Sequence, residues 1–170
     1  MTTRTGVRVT TDRVASVLAL VKRASRKTVL IGIPYDHTAR PGDVGVSNAM
    51  IGHLNEFGSP TQNIPARPHL VPGVLAVRAR VTGILEQGLI DEAAGVPDAL
   101  DKAMHAAGLV AVASIKTTIT NRLSPALAIY TLQKRAEKGR TGDLPLIDTG
   151  QYLNAITYVV RTARATDAAA

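Results

Sequence analysis

At 170 residues the chain suits one domain and is long enough to bury a core, and 45 % hydrophobic against 19 % charged residues fits a largely folded protein. It contains no cysteine, which excludes disulfides and thiolate metal sites; no apolar run approaches the roughly 20 residues that span a bilayer, and the N-terminus does not read as a secretion signal. The formal charge of +7 is compatible with a polyanionic partner, but the basic residues are scattered and aromatic content is 3 %, a poor base-stacking platform, so solvated surface charge is the favoured reading.

In chain order, residues 6–10 alternate Val7 and Val9 with Arg8 and Thr10, the pattern of a short strand. Thr11 or Asp12 then caps a helix to about Ser25, with Val14, Val17, Leu18 and Val21 on one face. Residues 28–33 form a β-branched run closed by Pro34, and their near-continuous apolarity predicts a strand buried on both faces. Residues 35–45 read as a surface loop. Ser47 caps the next helix, which carries Met50, Ile51 and Leu54 and stops at Gly58. A proline-rich connector follows, whose Ile64-Pro65-Ala66-Arg67-Pro68 run is held extended.

Pro72 opens a helix to about Ala93. Pro97 and Asp98 open a longer one to about Thr120, whose small residues let another backbone pack closely, within the subunit or between subunits. A shorter helical stretch begins at Leu123-Ser124-Pro125 and ends by Gly139, and Ala155 opens a last strand to Arg161. The pattern predicts an α+β fold, a small mostly antiparallel sheet packed with long helices and an extended Pro-rich arm. It also predicts one domain over residues 1–163 and a frayed tail over 164–170.

No residue set carries obvious chemistry. His37, His53, His69 and His105 lack the i, i+4 spacing of metal ligands. His53 and Glu56 lie three apart on a predicted helix and can face the same way, as a surface pair or helix-end hydrogen bond more readily than an acid–base dyad. Asp148-Thr149-Gly150 resembles the triplet of aspartic proteases, but Gln151-Tyr152-Leu153-Asn154 reads as a helical turn where a protease continues into a strand. Asp148 or Thr149 is therefore expected to cap a short helix. Ser124 lacks a nucleophile-elbow context. The sequence predicts no catalytic, metal or cofactor site.

Three segments in order are similar to the tail-completion (neck, head–tail joining) proteins of tailed bacteriophages. They are His53-Leu54-Asn55-Glu56-Phe57-Gly58 followed by Ile64-Pro65-Ala66-Arg67-Pro68-His69-Leu70, then Leu123-Ser124-Pro125 with a basic helix to Lys138-Gly139, then residues 145–158 around Asp148-Thr149-Gly150. His69 stands where the family usually has Phe, and Ala155 where Ser is common. The resemblance implies a non-enzymatic virion protein, assembled in the host cytoplasm and placed at the head–tail junction. It implies a ring, hexameric or dodecameric, that contacts connector, tail-terminator or tail-tube proteins and lets DNA pass, with no membrane role. The alternatives are a tail-terminator ring capping the tail tube, or a basic nucleic-acid-binding module. Phe57, Ile64, Arg67, His69 and Leu70 are the residues expected at an interface, with Arg67 expected to pair with a carboxylate of its own or a neighbouring subunit.

Overall fold

The computed structural model describes residues 13–34, 45 and 47–162. The strand expected at residues 6–10, nearly all of the loop at 35–45 and the tail at 164–170 lie outside them. The fold is α+β, with seven helices and a two-stranded antiparallel sheet among the described residues.

The helix α1 (Val14–Ala24) leads into β1 (Lys27–Gly32), and α2 (Asn48–Phe57) follows. Next come α3 (Leu70–Ala76), α4 (Arg78–Ala93), α5 (Ala99–Thr120), α6 (Ile129–Glu137), α7 (Gln151–Ala155) and β2 (Thr157–Thr162).

The core is organised around α5. Leu100, Met104, Ala107, Ala111, Ile115 and Ile119 recur three or four residues apart and are all buried, so one side of the helix carries the interior. By length and composition α5 could cross a membrane, with a mean hydropathy of 1.2 in its most apolar stretch. No run of that kind was expected from the sequence. In the fold this apolarity goes into the core, where α3, α4 and the sheet pack on α5.

The small residues of α5 are used inside the subunit. A Cβ on Gly108 would lie 2.3 Å from the Tyr158 ring of β2, and a Cβ on Gly88 of α4 would lie 2.3 Å from the Cβ of Ala103. Both crossings therefore require glycine where backbones approach.

The sheet joins the two ends of the described chain, with Lys27 opposite Thr162 and Gly32 opposite Thr157. β1 was expected to be buried on both faces. Instead it alternates, with Val29 and Ile31 turned inward and Leu30 exposed. Two strands cover only one side of α5, and among the described residues nothing lies over the outer face.

The helix expected from Pro72 to Ala93 is two helices. Val77 leaves helical geometry (φ −111°, ψ 9°) and ends α3 as it begins α4. Its N–H bonds to the carbonyl of Val74, three residues back, rather than to that of Gly73, the α-helical partner. The last helix but one is also shorter than expected. Residues 123–128 form an irregular loop with a cis Ser124–Pro125 bond, and α6 begins only at Ile129.

Candidate functional site

The most organised polar site is buried, where the Pro-rich arm meets α2, α3 and α7. Glu56 lies in the last turn of α2 and is only 6 % exposed. Its carboxylate accepts the backbone N–H groups of His69 (2.8 Å), Leu70 (2.9 Å) and Val71 (3.0 Å). Those are the open donors at the start of α3, and the next position, Pro72, has no N–H to offer. Every first-turn donor of α3 is thus satisfied by one carboxylate from a distant helix. This explains why α3 starts at Leu70, ahead of the expected Pro72.

His69 is 0 % exposed. Its Nδ1 lies 2.8 Å from the carbonyl oxygen of Arg67, and its Nε2 meets the Tyr152 hydroxyl. A carbonyl can only accept, so Nδ1 carries the proton and Nε2 accepts from Tyr152. Burial favours this neutral form of the ring. Glu56 stands 3.2 Å from Nδ1.

Burial holds the His69 pKa below its ordinary value, against the carbonyl contact and the Glu56 charge, which raise it. Burial also pushes Glu56 upward, but its three backbone donors and His69 outweigh this and leave its pKa lowered. Burial, with the nearby Glu56 charge, pushes Tyr152 upward, so its hydroxyl stays protonated.

Arg67 completes the clamp. Its Nε and Nη2 donate to the carbonyl oxygens of Pro125 (2.7 Å) and Ala126 (3.0 Å), and its backbone N–H donates to Asn55 (2.6 Å). The expected carboxylate partner is replaced by two carbonyls of the chain's own loop, which the planar guanidinium fork fits equally well. Burial lowers its pKa.

Of the residues expected at an interface, Arg67 and His69 are buried and bonded inside the subunit. Leu70 is half-buried against the core. Ile64 is half-buried and pairs with Ser59 through both backbone bonds, closing the 3-10 turn Pro60–Gln62. The arm is extended but strapped to its own body. It folds back past the end of α2, where a Cβ on Gly58 (φ 77°) would come within 2.9 Å of the Ala66 nitrogen. Only Phe57 projects, 67 % exposed, its ring 4.9 Å from that of His53. The His53–Glu56 pair considered from sequence does not form, since His53 turns to Phe57 and Glu56 inward.

The Asp148-Thr149-Gly150 expectation is also corrected. Gly150 (φ 79°) occupies the capping position of α7, which has no side-chain cap. Thr149 Oγ1 reaches the Gln151 N–H only at 3.5 Å, beyond a good hydrogen bond. Asp148 instead binds Arg140 and lies 3.6 Å from Arg135 Nε, tying the end of α6 to the turn before α7.

Among the described residues, no group of three or more His, Asp or Glu side chains has metal-binding geometry. Two helices present their surfaces outward instead, since neither α1 nor α6 buries any residue. Comparison of the chain with protein-family models, curated proteins and solved structures finds no match.

Proposed function

We propose that this chain is a structural ring subunit of a tailed-phage neck, joining the tail tube to the head and leaving a passage for DNA. The observation that carries this reading is the outward apolar surface of α1 and α6. Val17, Leu18 and Val21 on α1, and Ile129 and Tyr130 on α6, are all exposed. Short helices gain most of their stability from packing, and contiguous exposed apolar surface marks interaction sites. The resemblance of residues 46–160 to the tail-completion family supplies the identity of the assembly.

The interior favours a structural part over an enzyme. Glu56, His69 and Tyr152 are the nearest thing to an acid–base set, yet all three are buried and engaged with each other or with backbone. The charge supports the same reading. Arg122 pairs with Asp143, Arg135 and Arg140 with Asp148, Arg23 with Glu92 and Lys27 with Asp101. These pairs offset part of the positive charge of the described residues, which favours surface charge over a dedicated phosphate-binding face.

The test is to image virions by cryo-electron microscopy and place the chain in the density. A ring between head and tail tube bears the proposal out. Density assigned to the capsid shell, baseplate or no virion structure refutes it. The tail-terminator alternative corresponds to a ring seated directly on the last tube layer.

A further inference from the structure

The surfaces of α1 and the second half of α4 have opposite chemistry. On α1, Val17, Leu18 and Val21 form an apolar stripe, exposed between 45 and 64 %. From Arg13 to Lys27 the charged residues are all basic, namely Arg13, Lys22, Arg23, Arg26 and Lys27. Residues 81–98 contain no Lys, Arg or His, and their charged residues are Glu86, Asp91, Glu92 and Asp98. Ile90 and Val96 stand exposed among those acids. Within the chain α1 already lies along one side of this end of α4, with Val17 and Leu20 across a crevice from Ala93 and Arg23 paired with Glu92, which leaves Ile90 and Val96 on the sides that stay exposed.

We propose that a second copy of this chain seats its α1 on the acidic second half of α4. The stripe lies over Ile90 and Val96, and Lys22 and Arg26 face Glu86 and Asp91. The contact rests on the ring reading above and names the surfaces that join its subunits. Apolar anchors with complementary charged rims are the usual anatomy of a specific interface. The two surfaces differ, so each subunit can engage two neighbours, as a closed ring requires. A basic amphipathic helix also suits an acidic lipid surface. That occupant would leave Ile90 and Val96 exposed and bring the acids of α4 towards like charge, whereas a second copy satisfies both surfaces.

The experiment is analytical sedimentation of the full chain, with K22E/R26E, with E86K/D91K and with all four changes together. Of the four substituted side chains, Lys22, Arg26 and Glu86 are exposed and Asp91 is half-buried, and thermal melts verify that each variant folds. Wild type should form an oligomer, each double variant should weaken it by about tenfold or more in dissociation constant, and the four-fold exchange should restore it. A K22E/R26E variant that assembles like wild type overturns this contact and leaves the ring reading intact. A wild-type chain that stays monomeric overturns both. Binding of wild type to phosphatidylserine vesicles, lost in K22E/R26E while assembly is unchanged, overturns the contact in favour of a lipid surface.

Discussion

Glu56 accepts the three open backbone donors at the start of α3. Glu56→Ala should leave them unsatisfied in a buried site and destabilise the fold by about 3–5 kcal/mol. Glu56→Gln keeps one carbonyl oxygen as acceptor and should lose less than half as much; chemical denaturation of both variants measures the difference. The same cluster sets a pH dependence. His69 is neutral in the fold with its pKa lowered from 6.5, so its contribution is full above pH 6.5 and is lost as pH falls below it. Glu56 is charged in the fold with its pKa lowered from 4.5, so its contribution is present above 4.5 and is lost as pH falls through the folded value. The melting temperature should therefore begin to drop below about pH 6.5 and fall more steeply below about 4.5. His69→Asn should remove the upper part of that dependence. None of these roles was legible in sequence. Local rules look for caps within a few residues, while Glu56 caps a helix that starts 14 residues later and Glu92 accepts the N–H of Leu100 at the start of α5. Asp148, which local rules favoured as a cap, is held by arginines instead.

At the scale of elements, periodicity was a good guide wherever one face met a continuous partner. The long helix to Thr120, the Ser47 cap of α2 (its hydroxyl accepts from Met50 N–H at 3.0 Å) and the last strand through Arg161 are all present. It failed where tertiary geometry changes direction. Nothing local in Val77 announces the break between α3 and α4, and the apolar run of β1 does not disclose that one of its faces has no cover. Glycine spacing held more information than the hydrophobic pattern about where elements cross. Gly108→Ala places a methyl inside the Tyr158 ring. It should force β2 from α5 and destabilise the fold by about 1–3 kcal/mol or more. Ala106→Gly, on the same helix but only half-buried, should show only the propensity loss of about 1 kcal/mol. Paired thermal melts separate the two effects.

The molecule as a whole combines a tightly tied interior with an outer surface that leaves apolar side chains in water. Phe57 belongs to that surface. Core placement would make Phe57→Ala lose about 3–5 kcal/mol; at 67 % exposure the loss should be within about 0.5 kcal/mol, and any deficit should appear in assembly. Melts and sedimentation of that variant distinguish an interface residue from a core one. The most direct test of a ring subunit is native mass spectrometry of the purified 17.9 kDa chain at micromolar concentration. A closed assembly of six or twelve copies is the result this reading of the fold predicts. A species at the single-chain mass across the whole concentration range would contradict it.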